Sequence, residues 1–170
     1  MKPLFVLLCL GLVACGGSTI SGAPSSATPK PVVQRKSSDK VSAPARFVFT
    51  RDEAFSKSKF GIDLKVYPVR DATQNQVGMV TVETTHGHRQ EFYDVASFFV
   101  YYIIEGQGAF IINGHKQPVK ATDIIVVPPN HKFYYAGNLK MLLVTSPSWQ
   151  PENEREVRKL TNEQIEQAFR

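Results

Sequence analysis

The stretch Phe98-Phe99-Val100-Tyr101-Tyr102-Ile103-Ile104-Glu105-Gly106-Gln107-Gly108-Ala109-Phe110-Ile111-Ile112-Asn113-Gly114 decides the fold. Its first seven residues are apolar throughout and rich in aromatic and β-branched side chains. They favour a strand, and the run is too short for a typical globular helix. A Gly-x-Gly turn follows, then a second apolar run, Ala109 to Ile112. Asn113-Gly114 is the dipeptide that accepts positive φ at both positions of a tight hairpin, so His115 to Val119 is predicted to be a return strand.

The same pattern extends in both directions. Phe60 to Val69 and Gly78 to Thr84 read as extended, the second with clear alternation. Ile124 to Val127 is a short strand stopped by Pro128-Pro129. Lys132 to Tyr135 and Leu139 to Thr145 are predicted to be a final pair, joined near Ala136-Gly137-Asn138. This many short strands at close spacing predicts an all-β barrel or sandwich over residues 46–150. Residues 151–170 form a tail, partly helical over Pro151 to Lys159. The tail closes with a short helix that Thr161 and Gln164 cap reciprocally. Ile165 and Phe169, four apart, give that helix one apolar edge.

The other end of the chain has a different character. Met1-Lys2 precedes the apolar run Leu4 to Ala14. That run is too short to span a bilayer, so residues 1–14 read as a signal peptide. Leu12-Val13-Ala14-Cys15 resembles the lipobox of bacterial lipoproteins. The resemblance implies an acylated Cys15, palmitate among its chains, as the mature N-terminus, holding the protein to a bilayer. Gly16, in place of Asp, resembles lipoproteins sorted to the outer membrane. The expected location is therefore the cell envelope, lipid-anchored. Residues 15–45, rich in Ser, Pro and Gly, cannot bury enough apolar surface to fold and read as a tether.

Charge and cysteine usage narrow the function. The chain carries 20 Lys and Arg against 15 Asp and Glu, a net +5. Lys30, Arg35, Lys36 and Lys40 belong to the tether and Lys2 to the signal, so residues 46–170 hold 15 basic and 14 acidic residues. A near-neutral domain argues against nucleic-acid binding. The two cysteines are Cys9 and Cys15, so neither is left for a disulfide, a nucleophile or a metal within the barrel.

Tyr101 to Pro147 resembles the cupin superfamily in ordered pieces. Val100 to Gly108 resembles the close of the first cupin motif, and Asn113-Gly114 the hairpin after it. Val119 to Pro129 resembles the entry to the second motif, and Leu142 to Pro147 its closing strand. The implied fold is a double-stranded β-helix, or jelly-roll barrel. Cupins typically hold a divalent metal with a His-x-His pair, a glutamate and a later histidine. Here the resemblance sets Phe92 and Asp94 near the pair, Phe99 at the glutamate and Phe133 at the late histidine. Phenyl rings donate no lone pairs, so neither a metal nor another cofactor is expected at that centre. Thr122 and Asn130 also replace family glycines.

Two readings of function follow. In the first, the domain is a metal-free binding or structural module with no catalytic residue. Its lumen is lined by Phe92, Asp94, Phe99, Tyr101, Phe133 and Tyr135, which either simply fill the barrel as core or form a pocket for a small apolar or aromatic ligand. In the second, His86, His88 and Glu91, with His131 as a fourth donor, form a displaced metal site for an isomerase or dioxygenase. Otherwise those histidines are solvent-facing loop residues. Val100, Tyr102 and Ile104 point away from the lumen yet are apolar. They are expected to be covered by an N-terminal segment or by a second copy in a homodimer.

Overall fold

The computed structural model describes residues 46–170. The expected signal peptide (1–14), Cys15 and the tether (15–45) lie outside the described residues. Nine strands and one helix follow in order: β1 (Phe55–Lys59), β2 (Ile62–Tyr67), β3 (Gly78–Thr84), β4 (Gln90–Asp94), β5 (Phe98–Ile112), β6 (His115–Lys120), β7 (Ile124–Val127), β8 (Phe133–Ser146), β9 (Glu154–Lys159) and α1 (Asn162–Phe169). All pairings are antiparallel. Neighbours run β1-β2-β3-β8-β4-β9, and β5 pairs with β6, β7 and β8. The architecture is the all-β jelly roll that the sequence predicted.

Two long strands hold it together. β5 and β8 run side by side from Phe98↔Ser146 to Ile112↔Phe133. The final pair expected around Ala136-Gly137-Asn138 is instead one continuous strand, β8. Its Gly137 lies opposite Gly108 on β5 with φ +121. A Cβ on Gly137 would stand 2.5 Å from Gly108 Cα, so the strands meet this closely only because both residues lack side chains. The register shifts between Ile103 and Glu105, which bends β5 and divides it into two halves.

The halves are buried differently. In the first half, Phe99, Tyr101 and Ile103 are buried, while Phe98, Tyr102 and Ile104 are exposed. This is the alternation the sequence predicted. The inward set joins Phe110, Phe133, Tyr135, Leu139 and Met141 in the main core. Beyond the bend, Ala109 and Ile111 face a second cluster with Tyr134, Ala136, Leu160 and Ile165. Helix α1 lies over that face, so the run Ala109 to Ile112 is apolar on both sides. Nothing among the described residues covers Tyr102 and Ile104, or Ile124 and Val126 on neighbouring β7.

The helix cap forms as expected. Gln164 N donates to Thr161 Oγ1 at 3.3 Å, and Thr161 N donates to Gln164 Oε1 at 2.9 Å. Ile165 is buried, but Phe169 is exposed and Ala168 completes the contact. The stretch Pro151 to Lys159 differs from expectation. It is a 3-10 turn (Pro151–Asn153) followed by strand β9, which pairs with β4. β4 and β9 are held by polar cross-strand contacts: Arg158 Nε donates to Glu91 Oε2 at 2.6 Å, and Gln90 Nε2 to Glu156 Oε2 at 2.8 Å. The residue pair Asn113 and Gly114 adopts φ 49 and 81, turning β5 into β6.

Candidate functional site

A cavity of about 290 Å³ opens into the barrel. That is near the lower bound of about 300 Å³ for small-molecule sites. Its inner end is built from His88, Phe92, Phe99, Tyr101 and Tyr135, all buried. Apolar walls come from Leu64, Val80, Leu143 and Trp149, and Lys57, Lys59, Arg70 and Glu154 line it as well.

His88 reaches this position through a tight crossing. Thr84 Oγ1 accepts from Gly87 N at 2.8 Å and donates to Gly61 O at 2.8 Å, folding the chain after β3. Gly87 then bridges to Ala136 with φ +134. A Cβ there would strike the Tyr135 carbonyl and lie 2.7 Å from Ala136 Cα. His88 N donates to Tyr135 O at 2.8 Å, and its ring stands inside the barrel, 2% exposed. The expectation of a solvent-facing loop histidine holds for His86, which is exposed, but not for His88.

The His88 ring sits among aromatics. It lies edge-on to Phe92 at 5.2 Å and to Phe60 at 5.8 Å, and it stacks on Tyr135. Neither ring nitrogen has a hydrogen-bond partner among the described residues. Burial, with the Lys59 ammonium as a lesser cause, pushes its pKa from 6.5 down to about 3. The imidazole is therefore neutral at physiological pH. Burial also raises the Tyr135 phenol, and burial with the nearby Tyr135 and Glu154 raises that of Tyr101, so both stay protonated. Toward solvent, Glu154 accepts from Trp149 Nε1 at 3.1 Å and pairs with Lys59 at 3.8 Å. Lys59 in turn lies over the Trp149 ring at 5.5 Å.

The six lumen residues named from sequence separate into two groups. Phe92, Phe99, Tyr101 and Tyr135 line the cavity. Phe133 is buried behind it, 4.6 Å from Phe92 and 5.7 Å from Phe99 between ring centroids. Asp94 is not a lining residue. Its Oδ1 accepts from Ala96 N at 2.8 Å and Ser97 N at 2.6 Å, shaping the turn between β4 and β5. Sequence reasoning named His88 only as a donor of a displaced metal site or a loop residue, not as part of the lumen, and it missed Trp149, Glu154 and Lys59. Two-residue alternation counted back from Phe92 through Gln90 does reach His88, so that signal was present.

A metal fits this interior poorly. The positions that the cupin resemblance assigned to metal donors hold Phe92, Phe99 and Phe133, and these rings pack against one another. The displaced set does not assemble. His88 points inward, His86 is exposed, Glu91 pairs with Arg158, and His131 Nδ1 lies 3.0 Å from Pro129 O in its turn. Among the described residues, no three His, Cys, Asp or Glu side chains converge as ligands.

A jelly-roll barrel with a ligand-sized cavity at its mouth defines the class: the chain belongs to the cupin superfamily. Residues 78–137 match the family described as AraC-like ligand binding domain. Among solved structures it is similar to Streptomyces Pac13, described as a unique nucleoside dehydratase. With a form of that protein bound to uridine it shares 36% identity over 69% of this chain and 96% of the other, with a TM-score of 0.66. KdgF from Halomonas sp. is 15% identical over 63% of this chain and 97% of its own, with a TM-score of 0.53. A predicted oxalate decarboxylase from Thermotoga maritima is 18% identical over 59% and 99%, with a TM-score of 0.52. These last two share the fold. No curated protein sequence matches the chain. The Streptomyces protein was solved with uridine in one histidine-to-glutamine and two tyrosine-to-phenylalanine variants. Those three positions are spaced by 13 and 34 residues, the spacing of His88, Tyr101 and Tyr135 here.

Proposed function

We propose that the domain binds a nucleoside in the barrel and removes water from its sugar, with His88 as the proton-transfer group and no metal. The observation that carries this is the neutral, buried imidazole of His88, both nitrogens unpartnered among the described residues, stacked on Tyr135, which in turn packs against Tyr101. The matched spacing in a nucleoside dehydratase supports it.

The chemistry follows from the environment. Dehydration breaks a C–H bond, whose electron pair forms a C=C bond as the neighbouring C–O bond breaks. A base with so low a pKa takes only a proton already acidified, as beside a carbonyl. The apolar surroundings disfavour the imidazolium, so the accepted proton passes on to the departing hydroxyl and leaves as water. The Tyr101 and Tyr135 phenols are donors for the oxygen on which charge builds. The packed Phe92, Phe99 and Phe133 rings exclude bulk water from one side of the imidazole.

The proposal extends to location. The Leu12 to Cys15 motif supports a lipid-anchored protein of the bacterial envelope, with residues 16–45 as spacer. The test is uridine binding by calorimetry, followed by turnover of carbonyl-bearing nucleosides, read as loss of water by mass spectrometry. His88→Gln is expected to retain the fold and lose about 10²- to 10⁴-fold in rate. No nucleoside binding by the intact protein, or full turnover by His88→Gln, would overturn the reading.

A further inference from the structure

We infer that the pocket selects a nucleoside bearing an anionic group, of which a nucleoside monophosphate is the simplest case. This rests on the nucleoside reading above and adds a charge requirement. Three cations line the cavity, Lys57, Lys59 and Arg70, against one carboxylate, Glu154. Among the described residues, two of these charges, Lys57 and Arg70, have no carboxylate partner.

Lys57 and Lys59 sit two apart on β1, opposite Leu64 and Ile62 of β2, so both project from one face into the cavity. That spacing sets their Cα atoms about 7 Å apart along the strand. Lys59 is already engaged, by Glu154 at 3.8 Å and by the Trp149 and Phe60 rings. Lys57 has no carboxylate partner among the described residues.

Arg70 is held without being neutralised. Its Nε donates to Asn75 Oδ1 at 2.7 Å, and Gln150 Nε2 donates to the same oxygen at 3.1 Å. The Asn75 carbonyl accepts from Ser148 N at 2.9 Å, tying this loop to the chain beside Trp149. A neutral amide thus orients the guanidinium and leaves its terminal N–H groups and full charge available. A phosphate matches that fork as a bidentate acceptor, and Lys57 meets it as a point charge. Both residues are exposed, so added salt screens their attraction for an anion.

The experiment compares uridine with uridine monophosphate on the full-length protein by calorimetry, in low and in high salt. The monophosphate is expected to bind at least about tenfold tighter in low salt. Salt is expected to shrink that ratio, as is the double substitution Lys57→Gln with Arg70→Gln. Equal affinity for the two ligands would overturn the charge requirement while leaving nucleoside binding in place. A preference that survives the double substitution would overturn the assignment to these residues. Binding of neither ligand by a protein that still unfolds cooperatively would overturn both readings.

Discussion

His88 and Tyr135 are joined twice. Their rings stack with centroids 5.5 Å apart and planes 23° from parallel, and the His88 backbone N–H donates to the Tyr135 carbonyl at 2.8 Å. The backbone bond fixes where the imidazole enters the barrel, and the stack fixes its plane. Both depend on β8 passing close beneath Gly87.

This placement has a consequence for acid stability. The folded state holds His88 to a pKa of about 3, against 6.5 ordinarily. Between those values the unfolded chain binds the extra proton, so stability is lost as pH falls through this window and is fully present above it. Lowering the pH from 7.5 to 4.5 is expected to cost about 2–3 kcal/mol through this group. Urea unfolding of the parent and of His88→Phe checks it. The variant is expected to lack that loss, and an equal loss in both proteins contradicts the assignment.

Gly87→Ala is expected to destabilise the domain by more than about 2 kcal/mol. At φ +134 the new methyl group meets the Tyr135 carbonyl and Ala136. The same displacement moves His88 off Tyr135, so ligand affinity is expected to fall as well. Thermal unfolding and uridine titration measure the two effects. Parent-like stability would show that β8 yields freely at this crossing.

Phe99→Glu combined with Phe133→His is not expected to create a tight metal site. Phe92 packs against both positions and supplies no donor, and the family's histidine pair is still missing. The buried carboxylate also carries a desolvation cost that a partial ligand set does not recover. Zinc competition with a chromogenic chelator reads the outcome, and submicromolar affinity would refute it.

Cys15→Ser is expected to abolish incorporation of an alkyne-labelled fatty acid and to release the protein from the membrane fraction. The motivation is Leu12-Val13-Ala14-Cys15 after a short apolar run. Labelling that persists in the variant would remove the lipid anchor from the proposal.

The barrel was legible because its signals are local. The short aromatic and β-branched run Phe98 to Ile104 and the Asn113-Gly114 hairpin need no distant partner to be read. Strands β4 and β9 were hidden for the opposite reason. Gln90-Glu91-Phe92 and Glu154 to Lys159 carry few apolar residues and are stabilised by pairs such as Glu91 with Arg158, 67 positions apart. The single strand β8 was hidden too, since Ala136-Gly137-Asn138 has turn composition. Gly137 serves close approach to Gly108 instead.

The chain's own order of residues determined the jelly roll, the inward set Phe99, Tyr101 and Ile103, the helix cap at Thr161, and the phenyl groups at Phe92, Phe99 and Phe133. Tertiary structure alone decided that His86 and His88, one glycine apart, part company. It also decided that Asp94 shapes a turn, and that Lys59, Trp149 and Glu154 meet at the cavity. The physical reason is that burial and desolvation belong to a place in three dimensions. His88 becomes a neutral, buried base only when β8, β4 and the Tyr135 ring close around it.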